Sequence, residues 1–544
     1  MTRLWGAAYD WFDAVVLELG REMRWSFLPP LMVYFAYGAS GLTSVVGTFF
    51  VKDYLDVSAA FLAGLGFWVG LPWALKMPMG HLVDLMWRWK WVLVFIGAGL
   101  IAASFLIMFG LATGVSWMAE MMPVTAWFVL AALLSPCGYV VQDAVADALS
   151  VEAVPKVDAA GAPLDEDTRR AMHTTMQTLG RVALIGALSA VAALNITLFS
   201  GMDALPEAAK GAVYGRIYLI GLAIPVISVS GVLLAMVQQR RQIAALVACG
   251  LSRASAEAHF VPEGGAVKPN WSYFIGGGAF VALSVTLGLS DLPYSQEVIF
   301  AGSMAIVLFL MRQIIAALEP AKARALVGTA IIIFIFRATP LPGAGATWFT
   351  IDELGFDQQF LAVLSLITSV LTLVGMFVLR PLMANHSIVY IVVLLTVAAG
   401  LLSLPNIGLF YGIQDWTAPL TGGIVDARFI AILDTAIESP LGQIAMIPML
   451  AWIARNAPDN LKATFFAVMA SFTNLALSAS SLGTRYLNQI FSITREVTGP
   501  DGAVATPADY SQLGLLLIIV AVIGLAGPLV AVLLVQRSSL RTPD

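Results

Sequence analysis

Arg337 is the residue whose position most clearly indicates chemistry, because it lies near the middle of an apolar stretch, 325–350. A charged side chain at the centre of a bilayer costs on the order of 3 kcal/mol or more, so such residues usually face a water-filled path or a partner. A guanidinium in that setting favours negatively charged groups. We therefore predict that Arg337 marks an anion-accepting site.

The residues that follow Arg337 predict a break in the helix at the same depth. Pro340 and Pro342 have no N–H to donate to the carbonyls four residues earlier. Unpaired carbonyls at this depth are tolerated only where they line a cavity. The two prolines and Gly343 are therefore the predicted hinge, with the freed carbonyls facing a chamber.

Two further cations and one aromatic residue are candidates for the same site. Arg181 lies in an apolar stretch, followed by small and apolar residues, and is predicted to face the interior of a helix bundle. Lys76 lies at the inner end of a span, where it either joins the site or extends its ammonium to the membrane interface. Trp348 either stacks on a planar ring of a bound molecule or anchors the interface.

Four acidic residues within apolar stretches are candidate proton carriers. Asp143 and Asp147 are four residues apart, as are Asp434 and Glu438, so each pair lies on one helical face. A carboxyl taken out of water binds a proton more readily and a nearby cation opposes this, which could link anion occupancy to protonation. The alternatives are an inner gate for Asp147 with Glu152, and an outer vestibule for the second pair.

The composition excludes most other classes of protein. Of the 544 residues, 59% are hydrophobic and 12% are charged, compared with roughly 25% charged residues in soluble proteins. Apolar runs of about 18 or more residues recur along the chain, which predicts an all-α integral membrane protein and excludes a barrel of short alternating strands. The net charge of -5, without a basic tract, gives no indication of nucleic-acid binding.

The residues that usually carry enzyme, metal or cofactor chemistry are sparse. Cys137 and Cys249 are the only cysteines, and none of the four histidines forms a pair with metal-ligand spacing. No nucleophile with a base and no glycine loop for phosphate is evident. We predict no metal, no cofactor and no enzymatic activity.

The apolar stretches predict about fourteen membrane spans. Their approximate first residues are 25, 59, 91, 125, 173, 214, 271, 296, 325, 358, 386, 429, 463 and 512. With the N-terminus inside, the inner segments hold twenty of the 29 basic residues and the outer segments hold six, as the positive-inside rule requires. We expect no cleavable signal peptide, both termini in the cytoplasm, and a bacterial inner (plasma) membrane location.

An internal repeat organises these spans. Seven residues of the segment 48–63 recur, each 299 positions later, from Thr347 onwards. Both copies join one span to the next, which predicts two related six-helix bundles and an inserted helix pair. The predicted domains are 1–240, 241–324 and 325–544. This 6+2+6 plan matches the major facilitator arrangement, in which the substrate site lies between the halves.

The loop after the second span predicts an inner gate. Gly80 would let two helix ends approach closely, while Asp84 and the nearby Arg88 could form a charge latch. The loop resembles the major facilitator loop motif, and Glu152 and Arg455 complete the predicted gate. The alternative is a basic anchor at the inner interface with a solvated acid.

The second half carries a more specific resemblance. The segments 337–340, 349–350 and 353–356 (Arg-Ala-Thr-Pro, Phe-Thr and Glu-Leu-Gly-Phe) and a block over 444–475 look like the most recognisable stretches of the folate-biopterin transporter family. In the first half Lys76, Gly80, Asp84, Asp147 and Glu152 match that family's pattern. The resemblance covers most of both halves and implies a major facilitator fold.

The resemblance also implies a function. Members carry folates, pterins or related solutes across the lipid bilayer, commonly coupled to protons, so the expected partners are a small organic anion and protons. Arg337, Arg181, Lys76, Thr339 and Trp348 are then the expected substrate contacts. The alternatives are another metabolite such as S-adenosylmethionine, or a non-transporting membrane assembly or pigment-delivery factor on the same scaffold.

Three departures from the family pattern leave the solute open. Lys462 stands where members usually have an acid, and Met77 stands where a proline usually follows the lysine. The segment 165–167 is an acidic insert, Asp-Glu-Asp.

Overall fold

The computed structural model describes most of the chain. The described part is residue 13 and residues 18–541, apart from 56, 75, 156–163, 259–270, 272–277, 279–280, 283, 285, 288–291, 317, 380–381, 383–385, 442–461 and 499–503.

Helices account for nearly all regular structure in this part of the chain, as predicted. Those of the first half are α1 (Glu18–Arg21), α2 (Leu28–Ala39), α3 (Ser44–Tyr54), α4 (Ala59–Ala74), α5 (Lys76–Leu85), α6 (Lys90–Ala112), α7 (Ser116–Met121), α8 (Val124–Glu152), α9 (Glu166–Leu198), α10 (Glu207–Gly221), α11 (Ala223–Ala248) and α12 (Arg253–Ala258). Those that follow are α13 (Ser295–Ile315), α14 (Pro320–Arg337), α15 (Ala344–Asp352), α16 (Gln358–Val378), α17 (Ile388–Phe410), α18 (Ile413–Leu420), α19 (Ala427–Glu438), α20 (Lys462–Ile490) and α21 (Leu513–Gln536).

Short 3-10 turns and one small hairpin complete the described secondary structure. The 3-10 turns are Trp25–Phe27, Ser40–Thr43, Trp87–Trp89, Met202–Ala204 and Ser439–Leu441. Between α20 and α21, strands β1 (Val497–Thr498) and β2 (Val504–Thr506) pair antiparallel. The all-α prediction therefore holds for the bundle but missed this hairpin, which is too short to give an alternating hydrophobic pattern.

Eight helical segments in the described residues are long and apolar enough to cross a membrane. They are Trp25–Tyr54, Lys90–Ala112, Val124–Glu152, Met172–Leu198, Ala209–Ala248, Gln358–Val378, Ile388–Phe410 and Leu513–Gln536. Two shorter apolar helices, Ala59–Trp73 and Ser295–Phe309, coincide with two more predicted spans. The span predicted from residue 271 lies mostly outside the described residues.

The repeat seen in the sequence extends to the helices. Adding 299 to the residue numbers of a first-half helix gives a range that overlaps a helix of the second half. In this way α2 overlaps α14, α3 overlaps α15, α4 overlaps α16 and α6 overlaps α17. In the same way α9 overlaps α20 and α11 overlaps α21. Within the first half α11 packs against α2 and α6, and within the second its counterpart α21 packs against α14 and α17.

Two long helix pairs join the halves, and the repeat relates one pair to the other. Helix α4 packs along α20, and α9 packs along α16. Helix α4 is the repeat counterpart of α16, and α9 is the counterpart of α20. The two pairs are therefore related to each other by the repeat. Most of the predicted site residues lie on α5, α8, α9, α14, α15 and α19 and in the break that follows α14.

Candidate functional site

The helix that carries Arg337 breaks where the sequence predicts. Helix α14 ends at Arg337, the segment 338–343 is not helical, and α15 begins at Ala344. Gly343 has φ +83°, a conformation that favours glycine. A Cβ there would also lie 2.7 Å from Nδ2 of Asn488, so both the backbone and the close approach of α20 require glycine at this position.

Polar side chains of α20 satisfy the backbone of the break. Ser480 donates to the carbonyl of Thr339 at 2.6 Å, and Asn488 donates to the carbonyl of Pro342 at 3.1 Å. The N–H of Leu341 donates to Oγ1 of Thr484 at 2.9 Å.

The carbonyls that the two prolines leave without an N–H are those of Phe336 and Ala338, and the first accepts from Oγ1 of Thr339 at 3.1 Å. The carbonyls of Thr339 and Pro342 are bonded instead across to α20. They pack against α20 because an adjacent helix offers donors at the right height.

These polar residues of α20 were not predicted from the sequence as part of the site. Ser480, Thr484 and Asn488 are four residues apart, so they lie on one face of the helix. That spacing of small polar residues within an apolar span was a usable signal, since such residues commonly hydrogen-bond across helices.

Replacing Thr484 with valine is expected to destabilise the protein by about 0.5–1.5 kcal/mol, because the part-buried hydrogen bond from the N–H of Leu341 is lost. Thermal unfolding in detergent measures the effect. Thr473→Val is the matched control, since Thr473 is buried on the same helix and its hydroxyl bonds the carbonyl of Ala470 in its own helix. Equal unfolding temperatures for the two variants would contradict this role of Thr484.

Arg337 and Arg181, two of the three cations predicted to lie inside spans, have no carboxylate partner among the described residues. Arg337 is partly buried, and its Nε is enclosed with no hydrogen-bond partner in the described part of the chain. Arg181 is also partly buried. Neither guanidinium has an Asp or Glu oxygen within 4 Å among the described side chains. Both therefore keep their capacity to bind an anion.

The repeat places these two arginines at related helix contacts. Arg337 corresponds to Gly38 and Ser480 corresponds to Arg181, each 299 positions apart. A Cβ on Gly38 would lie 2.0 Å from the carbonyl oxygen of Leu184, one turn from Arg181. Each half thus brings one guanidinium to the same helix pair, from α9 in the first half and from α14 in the second.

Lys76 is held by the two carboxylates predicted as proton carriers. Its Nζ lies 2.5 Å from Oδ2 of Asp143 and 2.7 Å from Oδ2 of Asp147. The side chain of Asp147 is 50% exposed, so the cluster is accessible from one side. From the sequence, Lys76 was predicted either to join the site or to extend its ammonium to the membrane interface. In the structure its ammonium is held between two carboxylates of α8.

Tyr34, which was not predicted as a site residue, belongs to the cluster of Lys76, Asp143 and Asp147. Its hydroxyl donates to Oδ1 of Asp147 at 2.8 Å, from α2 to α8. Tyr37, one turn further, has its ring 5.4 Å from those of both Trp73 and Tyr139. Two tyrosines three residues apart in the first span were a signal for a shared face. Arg181 lies near enough to Tyr37 and Asp143 to act on both electrostatically.

The second carboxylate pair has a different environment. Asp434 on α19 is 8% exposed, and Nδ2 of Asn406 on α17 donates to its Oδ2 at 2.9 Å. Its Oδ1 is buried without a hydrogen-bond partner in the described chain. No cation of the described residues lies within 4 Å of Asp434 or Glu438. The two pairs therefore differ in their charge environment, since Lys76 contacts Asp143 and Asp147.

The predicted inner gate is only partly visible. Oε2 of Glu152 lies 2.8 Å from Nζ of Lys90, within the first half. A Cβ on Gly80 would meet no described atom within 4 Å, so the described residues show no close helix approach at this glycine. The side chains of Asp84 and Arg88, and all of Arg455, lie outside the described residues.

A charge cluster joins the halves at the end of the bundle predicted to be outer. Nζ of Lys52 lies 2.7 Å from Oδ1 of Asp352 and 3.8 Å from Oδ1 of Asp53. The two aspartates are counterparts in the repeat, so one lysine serves both. Nearby, Gln358 of the second half donates to the hydroxyl of Tyr214 of the first at 3.1 Å. We call these five residues and Tyr510 the outer latch.

Tyr510 reinforces this outer latch from the loop after the hairpin. Its hydroxyl donates to Oδ2 of Asp352 at 2.5 Å. Burial, followed by the contact with Asp352, raises the pKa of Tyr510, so the hydroxyl stays protonated and continues to donate at neutral pH.

Trp348 lies in the core beneath the same loop. Its side chain is 2% exposed and packs with Ile493, Tyr510 and Leu513. The guanidinium carbon of Arg495 lies 5.3 Å from the ring centroid. In this conformation the indole has no open face for a planar ligand.

Comparisons of the sequence with known proteins give one family and one curated relative. A sequence model described as the BT1 family matches residues 207–541, more than half of the chain. The folate-biopterin transporter of Synechocystis sp. is 23% identical over 467 residues, which cover 84% of this chain and 74% of that protein.

Comparison with solved structures identifies transporters of similar fold. A POT family transporter in complex with 5-aminolevulinic acid has a TM-score of 0.60 and 12% identity, with 96% of each chain covered. A peptide transporter POT in complex with alafosfalin has a TM-score of 0.56 and 13% identity, with 95% of each chain covered. A variant of the nucleoside transporter NupG has a TM-score of 0.53 and 12% identity, covering 93% of this chain and 99% of that one.

Proposed function

The chain belongs to the BT1 family of transporters, and we propose that it moves a folate-like or pterin-like organic anion by alternating access, coupled to protons. It is a multi-pass membrane transporter and not an enzyme. The observation that carries the proposed solute class is the pair of guanidiniums, one in each half, that have no carboxylate partner among the described residues.

The proposed anion site is built around Arg337 and Arg181. A cation within a span is costly unless something offsets its charge, and the lysines of the described clusters are already paired. An arginine fork matches a carboxylate in two parallel hydrogen bonds. Thr339, in the break beside Arg337, is the proposed neighbouring contact. A solute carboxylate would supply the missing negative charge.

The proposed contact for a flat ring is the aromatic group of Tyr37, Trp73 and Tyr139. Their rings lie 5.4 Å apart in two tilted pairs next to the Lys76 cluster. Aromatic side chains offer both apolar area and favourable stacking geometry to a pterin ring. We assign Trp348 a supporting role under the outer latch, since its indole is enclosed.

We propose that Asp143 and Asp147 carry the coupled proton. Both carboxylates bind the single ammonium of Lys76, so one of them can accept a proton while the other keeps the lysine. An anion bound at Arg181 would screen that cation from Asp143, which favours protonation of the carboxylate. Asp434 and Glu438 are the alternative carriers, because no described cation opposes their protonation.

Alternating access is the proposed mode of transport. The outer latch holds the halves together at one end through Lys52 and Asp352. At the other end Gly80, the predicted inner-gate glycine, makes no close contact with the described atoms. The hinge at Pro340, Pro342 and Gly343 lies between α14 and α15 and would let the two parts of that span move separately.

The proposed architecture is a major facilitator fold of about fourteen spans. Residues 1–240 and 325–544 form the two bundles, and 241–324 supply the linker and the inserted helix pair. The repeat-related pairs α4/α20 and α9/α16 support this division. The excess of basic residues in the predicted inner segments supports cytoplasmic termini and an inner-membrane location.

A ligand panel tests the proposed solute class. Folate, biopterin and S-adenosylmethionine are added separately to the purified protein, and its unfolding temperature is measured. A ligand at 100 times its dissociation constant adds about 2.7 kcal/mol to stability. We expect folate or biopterin to stabilise the protein and to enter proteoliposomes.

The panel also separates the alternatives. Stabilisation by S-adenosylmethionine alone would replace the folate-like solute with that metabolite. If none of the three ligands stabilises the protein or enters the proteoliposomes, the anion proposal has no support and a non-transporting scaffold role is favoured.

A further inference from the structure

Helix α13, which belongs to the predicted insert, reaches both halves of the molecule. Its outer part packs in a buried cluster with Phe67 and Leu71 of α4 and Leu482 of α20, to which it contributes Ile299. Helices α4 and α20 come from different halves. The outer part of α13 therefore lies against the seam between them.

The other end of α13 packs differently. Val307 and Met311 lie in a buried cluster with residues of α14 and α20, such as Ile333 and Phe472. Among the described residues this cluster contains none from α4. In the described part of the chain α13 is thus anchored along the second half and reaches the first half at its outer end.

Gln296 makes the contact across the seam. Its Nε2 donates to the carbonyl of Gly64 on α4 at 3.1 Å, while its Oε1 accepts from Nη1 of Arg485 on α20 at 2.9 Å. The side chain is 8% exposed. Gly64 permits this approach, because a Cβ there would lie 3.3 Å from Nε2 of Gln296 and 3.4 Å from Cδ of Arg485.

Neighbouring polar groups hold α13 to the second half at the same level. A guanidinium nitrogen of Arg485 lies 3.6 Å from Oε1 of Glu297, and the hydroxyl of Tyr486 donates to the same oxygen. Two adjacent residues of α20 thus fix the first turn of α13. Gln296 then adds a hydrogen bond from this anchored helix to α4, beside the packing of Ile299.

We propose that α13 is a clamp on the outer-closed state, with Gln296 as the residue that ties the first half to the second. The inference rests on the proposed alternating access. When the outer ends of α4 and α20 separate, Gln296 must release either Gly64 or Arg485, and Ile299 must leave Phe67 and Leu71. The insert therefore opposes opening on that side.

The test is a distance measurement across the outer face of the full-length protein. Glu120→Cys and Leu420→Cys place spin labels on exposed outer segments of the two halves, in a background with Cys137→Ala and Cys249→Ser. Pulsed electron paramagnetic resonance then gives the populations of the closed and open distances.

Gln296→Leu keeps the side-chain volume and removes both hydrogen bonds. We expect it to raise the ratio of open to closed protein about threefold to tenfold, as the loss of one or two such bonds in a membrane implies. Gln296→Asn, which is too short to reach both partners, serves as a second variant should the leucine form fail to fold. Val298→Leu is the matched control, on the exposed face of the same helix, and should keep the parental distribution.

Lys52→Met separates failure of the clamp from failure of the transport mechanism. It breaks the ion pair with Asp352 and should also increase the open population. A parental distribution in both Gln296 variants, with a shift in Lys52→Met, would overturn the clamp and leave alternating access standing. A parental distribution in all three would overturn both.

Discussion

Arg337→Ala is expected to lower the initial rate of folate or biopterin uptake by about 10- to 100-fold at equal amounts of protein in the membrane. Hydrogen bonds to charged groups contribute about 1.5–3 kcal/mol, and each 1.4 kcal/mol corresponds to about tenfold. Arg337→Lys should fall between the two, because it keeps the charge and loses the two-pronged geometry. Radiolabelled uptake into proteoliposomes measures the rates.

The control for this prediction is an arginine on the surface. Arg253 is 83% exposed at the side chain and pairs with Glu257 within α12, and such surface pairs contribute little. Arg253→Ala should therefore transport at the parental rate. Uptake that is unchanged in Arg337→Ala would remove Arg337 from the solute site, even if the protein proves to carry folates.

Asp143→Asn is expected to abolish accumulation of solute against its gradient while leaving exchange of labelled for unlabelled solute intact. Asparagine still accepts a hydrogen bond from Lys76, so the cluster keeps its shape, but the residue can no longer take up a proton. The measurement compares uptake driven by an imposed pH gradient with counterflow in the same proteoliposomes. The parent should respond to the gradient and the variant should not.

Asp434→Asn is the paired variant, because it tests the other carboxylate cluster in the same assay. Asp434 keeps its contact with Asn406 only through Oδ2, and no described cation is near it. If it alone loses the response to pH, the proton is carried in the second half. Loss of exchange as well as accumulation in Asp143→Asn would indicate a role in solute binding instead.

Several features of the fold could be predicted from the sequence because they depend on local chemistry. Apolar runs determine where helices can cross a membrane, and Pro340 and Pro342 determine where α14 must end. The 299-residue repeat predicted related helix sets, and its counterparts pack in corresponding pairs. The BT1 match agrees with the family predicted from the motifs.

The pairing of polar groups could not be predicted in the same way. Leu341 and Thr484 are 143 positions apart, and Lys76 is 67 positions from Asp143. Helix periodicity shows which residues share a face but not which face of another helix they meet. For this reason the sequence predicted the break but not the hydrogen bonds that join the carbonyls of Thr339 and Pro342 to α20.

By itself the sequence determined a membrane-embedded helical protein with an internal repeat and three cations inside its spans, because hydrophobicity, proline and charge act through the nearest residues. Its resemblance to a transporter family added the function. Only the tertiary structure decided that Lys76 is neutralised by two aspartates while Arg181 and Arg337 have no carboxylate partner among the described residues. It also decided that Lys52 joins two repeat-related aspartates. The reason is that an ion pair forms only within a few ångströms, and that distance is determined by how the two halves pack together.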